Sequence, residues 1–129
     1  MAAVFPNEGE EAIGDDITGS NLTLALFRND YTPVAGSQLA NFTVATFTGY
    51  AAKTLTGGAW TSTQGAPTTV VYAQQTFTSS ADQSVQQIYG YFVHNGSQVL
   101  WAERFSDAPY AMQYNGDRIL ITPALSVGS

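Results

Sequence analysis

From Asn21 onward the chain alternates with period two. Leu22, Leu24 and Leu26 interleave with Thr23, Ala25 and Phe27. Both sides of this run are apolar, which predicts a strand with two buried faces. Asn29-Asp30-Tyr31-Thr32-Pro33 follows as turn chemistry. The stretch 41–47 fits either a strand or a short turn of helix. Tyr50 to Thr56 reads as a strand, Gly57-Gly58 breaks it, and Ala59 to Thr63 forms the next. Thr68 to Ser79 is a long β-branched and aromatic run, again typical of a strand.

The sharpest local signal is Asn95-Gly96, flanked by Gln86 to His94 and Ser97 to Phe105. A two-residue Asn-Gly loop needs positive φ at both positions and predicts a hairpin. In that register Phe92 faces Val99, Tyr91 faces Leu100 and Gly90 faces Trp101, so an aromatic ring covers a bare backbone. Both faces are apolar, one with Ile88, Phe92, Val99 and Trp101, the other with Tyr89, Tyr91, Leu100 and Ala102. Such a hairpin is central, with one face in the core and the other against loops, the N-terminal arm or another subunit. Asn115-Gly116 predicts a second hairpin, with Met112 opposite Ile119 and Tyr110 opposite Ile121. Pro123 confines the last strand to an edge or its end.

These segments make about seven or eight short strands, the pattern of an antiparallel β-sandwich or barrel, and a jelly roll is the first choice. The expected domain spans 21–129, preceded by an acidic N-terminal arm over 1–20. Met1 to Pro6 reads as extended, and Glu8 to Ile17 as a short helix with Asn7 at its N-cap. The arm holds Glu8, Glu10, Glu11, Asp15 and Asp16 and no Lys or Arg. It is either a solvated surface or a site of electrostatic docking to a basic partner.

Composition narrows the chemistry. The 129 residues include no cysteine and one histidine, so thiolate sites and the common zinc ligand sets are excluded. Net charge is −6 with four scattered bases, Arg28, Lys53, Arg104 and Arg118. No basic stripe exists to displace counterions from phosphates, and anionic membranes are disfavoured by the same sign. The first residues lack the basic and apolar regions of a signal peptide, which predicts folding in a cytoplasm. No Gly-x-Ser-x-Gly elbow or phosphate loop is present. His94 falls at the lip of the Asn-Gly turn. Asp82, Asp107 and Asp117 fall in predicted turns, where Asp serves the backbone, and Glu103 lies on a strand. No cofactor is expected, and the chain reads as a binding or structural module rather than an enzyme. Charged residues are only 11%, which lowers the desolvation cost of packing against neighbours.

Three groups of segments carry a resemblance. They are Phe5-Pro6-Asn7-Glu8-Gly9-Glu10, then Leu24-Ala25-Leu26-Phe27-Arg28-Asn29-Asp30-Tyr31-Thr32-Pro33, then Phe47-Thr48-Gly49-Tyr50-Ala51-Ala52-Lys53-Thr54-Leu55. With Tyr89-Gly90-Tyr91-Phe92-Val93, Leu100-Trp101-Ala102-Glu103-Arg104-Phe105 and Asn115-Gly116-Asp117, nearly the whole chain resembles small virion proteins of tailed bacteriophages, of the capsid decoration or cement type. The resemblance implies a β-sandwich on the capsid surface that ties neighbouring subunits of the major capsid protein together, with further copies of itself as a dimer or trimer. The expected contact residues are Phe5, Pro6, Glu8, Glu10, Glu11, Asp15, Asp16, Tyr91 and Trp101. The alternative is a carbohydrate- or receptor-binding module of a tail or fibre, presenting exposed Trp or Tyr.

Overall fold

The computed structural model describes residues 6–128, so Phe5 lies outside them. A helix, α1, runs from Asn7 to Thr18, with Pro6 in the N-cap position expected of Asn7. The Pro6 carbonyl accepts from the amides of Gly9 and Glu10, and Glu8 and Glu10 place negative charge at the positive end of the helix dipole. Glu10, Gly14 and Thr18 recur at four-residue spacing and form the buried face. A Cβ on Gly14 would come within 2.8 Å of Val70 Cγ2, so the glycine allows the helix to lie close on the sheet beneath it. The acidic segment is therefore a docked helix from Asn7 onward.

Eleven strands follow among the described residues: β1 (Leu22–Phe27), β2 (Lys53–Leu55), β3 (Thr61–Thr63), β4 (Thr68–Val71), β5 (Gln75–Thr78), β6 (Gln86–Ile88), β7 (Gly90–His94), β8 (Val99–Arg104), β9 (Tyr110–Met112), β10 (Arg118–Ile121) and β11 (Ala124–Val127). They form antiparallel sheets of order β2-β1-β7-β8, β11-β4-β3, β10-β5 and β6-β9, an all-β, sandwich-like fold. Helix α1 packs on β3, β4 and β11.

The strand count exceeds the expected seven or eight because two long ribbons bend at corners. The 68–79 run splits into β4 and β5, opposite β11 and β10. Val71 pairs with Ala124 before the corner and Gln75 with Ile121 after it. At the corner the Tyr72 amide donates to the Pro123 carbonyl at 2.9 Å. The second ribbon breaks at Tyr89, whose amide donates to Phe27 of β1 while its carbonyl accepts from Phe105. Strands that change sheets at irregular corners are a familiar way to close a sandwich.

These corners overturn two expected registers. Strands β9 and β10 do not pair with each other; β9 pairs with β6 and β10 with β5, so 113–117 crosses between sheets. Asp117 holds this crossing by accepting from the amides of Gln113 and Tyr114. The β7–β8 hairpin does form, but His94 pairs with Val99, Val93 with Trp101 and Phe92 with Ala102. Its loop is Asn95 to Gln98, because Asn95 Oδ1 accepts from the amides of Ser97 and Gln98. Only Gly96 takes positive φ, so the two-residue turn with both positions left-handed is not made. A register shift at Val93/His94 leaves Leu100 as the extra residue.

Strands β1 and β7 carry the core. Leu22, Leu24, Leu26, Tyr91 and Val93 pack on one face with Leu55, Phe77, Ile88, Met112, Ile119 and Ile121. Ala25, Phe27 and Phe92 pack on the other under Phe42. There Phe42 stacks on Phe92 at 4.7 Å and meets Phe27 edge-on at 5.2 Å. The second face is thus covered by the loop 28–44, one of the coverings the apolar hairpin required.

The ring over Gly90 is Phe27, its register partner on β1, rather than Trp101. A Cβ at Gly90 would lie 2.6 Å from that ring and closer still to the Glu103 carbonyl oxygen. Backbone cannot yield as a side-chain tip can. Gly90→Ala is expected to destabilise by about 1–3 kcal/mol in urea denaturation. Gly36→Ala, with nothing within 4 Å, is expected to stay within about 0.5 kcal/mol of wild type.

Candidate protein-binding surfaces

Two surfaces of different chemistry stand out. The first is the outer edge of β8, the last strand of its sheet. The loop after β1 is tied beside it. Arg104 Nη1 donates to Asp30 Oδ1 at 2.6 Å, and its guanidinium lies 5.1 Å over the Tyr89 ring. Asn29 holds the loop's return by donating to the Asn41 carbonyl and accepting from the Thr43 amide. Asn41 accepts in turn from the Gln38 amide, closing a short 3-10 turn over Leu39–Asn41.

Between this loop and β8 lies an open groove of about 670 Å³, lined by 37–40 and 97–99. It adjoins one of about 400 Å³ lined by Pro33, Val34, Ala35, Ser37 and 99–102. No charged side chain lines either. Val34 is 64% exposed and Leu100 37%, so the rim offers apolar side chains beside strand main chain. The sequence pattern missed this rim. A two-residue hairpin loop pairs Leu100 with Tyr91, whereas the bulge turns it out, and Val34 follows a turn with no periodicity to mark it.

The second surface is the outer face of α1, and the structure divides its five acids. Glu10 is buried, its carboxylate occupying the space a Cβ would need on Gly128. Glu11 accepts from Gln64 at 2.9 Å, and Asp15 from the Ser62 hydroxyl of β3. Glu8 and Asp16 are exposed and make no side-chain hydrogen bond among the described residues. Ile13 is 43% exposed and stands one turn before Asp16. Pro6 is exposed at the helix start.

Of the remaining expected contact residues, Tyr91 lies inward and Trp101 lines the second groove with part of its ring packed on the core. Tyr91 is 8% exposed, and burial, with the Glu103 carboxylate adding to it, pushes its hydroxyl up to about 12. Trp101 is half-buried, meeting Trp60 edge-on at 5.9 Å, and Trp60 meets Tyr72 at 5.1 Å. Tyr50 stacks on Phe77 at 5.8 Å, and Tyr110 on Phe105 at 4.6 Å. Tyr114, which the sequence did not single out, is the one strongly exposed aromatic among the described residues, at 61%.

The titratable groups are occupied by the backbone and by turns. His94 stacks on Phe92 at 5.5 Å, and its Nδ1 accepts from the Gly96 amide at 3.0 Å. Asp82 accepts from the Asn115 amide and Asp107 from the Tyr110 hydroxyl. The two backbone amides on Asp117 hold its carboxyl below the usual range. Among the described residues no cluster of three His, Cys, Asp or Glu is placed to hold a metal ion, and no helix is long and apolar enough to cross a membrane. No protein-family profile, curated protein or solved structure matches the chain.

Burial lowers the His94 pKa. The unfolded chain therefore takes up the proton first, and stability is full above the unfolded value of about 6.5. It falls as pH drops below that value, and protonation also removes the acceptor at Nδ1. The urea midpoint is expected to drop between pH 7.5 and 5.5, and His94→Gln, lacking the only imidazole, is expected to flatten that slope.

Proposed function

We propose that the protein is a structural subunit of a virion, one that binds the assembled capsid of a tailed bacteriophage and ties neighbouring capsid subunits together. The observation that carries this reading is the pairing of two unlike surfaces on one fold. An acidic helix packs on the β11-β4-β3 sheet, and a neutral groove flanks the free edge of the β2-β1-β7-β8 sheet. A module that cross-links an assembly needs at least two contacts, since avidity arises only when both engage. The helix suits the capsid contact. Its packing through Glu10, Gly14 and Thr18 fixes its orientation before binding, which removes an ordering cost. Glu8 and Asp16 offer charge to a basic partner surface, and Ile13 an apolar anchor between them.

Deleting the helix would strip cover from β3, β4 and β11, so substitutions on its outer face are the cleaner test. The wild-type protein is expected to co-sediment with capsids assembled from the major capsid protein. Glu8→Lys combined with Asp16→Lys is expected to weaken that binding roughly tenfold and reduce its salt sensitivity. Failure of the wild type to co-sediment overturns the reading. Unchanged binding by the charge-reversed variant rejects the helix as the contact.

A further inference from the structure

Glycine follows asparagine at Asn95-Gly96 and at Asn115-Gly116. At such a pair the glycine nitrogen can attack the asparagine side-chain carbonyl, because no side chain crowds the five-membered ring that closes. Nucleophile and carbonyl are neighbours, so the reaction awaits a base for the amide proton and donors for the developing oxyanion. The β7–β8 loop supplies both at Asn95. The Gly96 amide donates to His94 Nδ1 at 3.0 Å. Asn95 Oδ1 accepts from the Ser97 amide at 3.1 Å, the Ser97 hydroxyl at 3.3 Å and the Gln98 amide at 2.8 Å. Because Nδ1 accepts, the imidazole carries its proton on Nε2, and burial lowers its pKa, which favours this neutral form. Asn115 lacks these parts. The Gly116 amide donates to the Ser79 carbonyl at 2.9 Å, which is no base, and no donor is placed on the Asn115 side-chain oxygen among the described residues.

We infer that Asn95 is a self-modifying site, at which His94 is the general base and the Ser97 and Gln98 donors form an oxyanion hole for succinimide formation. The Gly96 N–H proton passes to His94 Nδ1 as the nitrogen bonds to Asn95 Cγ. Negative charge gathers on Oδ1, where the donors already point. The carbonyl then re-forms and the Cγ–Nδ2 bond breaks. Nδ2 leaves as ammonia with a proton from solvent, to which the imidazolium returns its own. Water opens the ring at either carbonyl and gives an aspartyl or an isoaspartyl residue. A water is consumed, an ammonia is released and nothing is oxidised. Either product puts negative charge beside the neutral groove lined by 97–99. The isoaspartyl form also lengthens the main chain where the Asn95 side chain caps the loop. The inference is independent of capsid binding, since every group in it belongs to the β7–β8 loop.

Peptide mass spectrometry of the protein after long incubation at neutral pH tests it. Trypsin releases 54–104 and 105–118, in which Asn95 and Asn115 are the sole asparagines. In the native protein Asn95 is expected to deamidate about tenfold faster than Asn115, a small part of what a positioned base can supply. It is also expected to react about tenfold faster than in the same chain unfolded in guanidinium chloride, a comparison that removes the effect of local sequence. His94→Gln keeps an acceptor for the Gly96 amide but no base, and is expected to bring the native rate down to the unfolded one. Slower reaction of Asn95 in the native wild type than in the unfolded chain means that the loop protects it, and overturns the inference without any variant. An undiminished rate in folded His94→Gln overturns it as well.

Discussion

A strand that buries both faces has no side for water, so everything it faces must be supplied by the rest of the chain. Strands β1 and β7 are under that constraint. Their pairing runs from Thr23–His94 to Phe27–Gly90, with leucines, Tyr91 and Val93 on one face and Ala25, Phe27 and Phe92 on the other. The first face recruits the bent ribbons and the second recruits the loop 28–44. Gly90 makes the closest approach possible, because the Phe27 ring occupies the space of its missing Cβ. Each fully buried Leu or Phe here contributes about 1.5–3 kcal/mol. The Arg104–Asp30 pair that tethers the loop is partly exposed and adds at most about 1 kcal/mol. The loop is therefore held mainly by Phe42, Tyr31 and Leu39 against the sheet, and the ion pair chiefly sets where its outer part runs.

The two candidate surfaces follow from this arrangement. Once β1 and β7 are central, their sheet must end on β2 and β8. Strand β2 is short, whereas β8 is long and lies beside the loop that covers the second face. The groove is the margin where that cover stops. On the other sheet, the helix needs one buried stripe, and its acids are sorted by their angle to that stripe. Glu10 is turned inward, Glu11 and Asp15 are engaged by Gln64 and Ser62, and Glu8 and Asp16 are left to solvent.

What was legible in the sequence was local. The double apolar alternation of 22–27 announced a strand buried on both sides, and the apolar faces of 86–105 announced a hairpin needing cover. The all-β class followed from these runs, and the short acidic helix from Glu8 onward was visible in outline. Pairing between distant strands was not legible. Residues 110–121 have the pattern of a hairpin, yet the partners of β9 and β10 lie in β6 and β5, and the Asp117 carboxylate stabilises the crossing in place of a tight turn. The register at Asn95-Gly96 depended on whether Asn95 adopts positive φ or caps its own loop, and its side-chain hydrogen bonds decided for capping. That choice shifted Leu100 out of the core pattern and onto the groove rim.

The central claim is that β1 and β7 form a sheet interior closed on both faces while β8 is its open margin. Residue-resolved amide hydrogen exchange on dilute protein tests this most directly. The account predicts the slowest exchange throughout 22–27 and 90–94, and an alternation along 101–104 between amides bonded to β7 and amides facing the groove. Uniformly slow exchange across 101–104, or fast exchange at Leu24, Phe27 or Phe92, would contradict it.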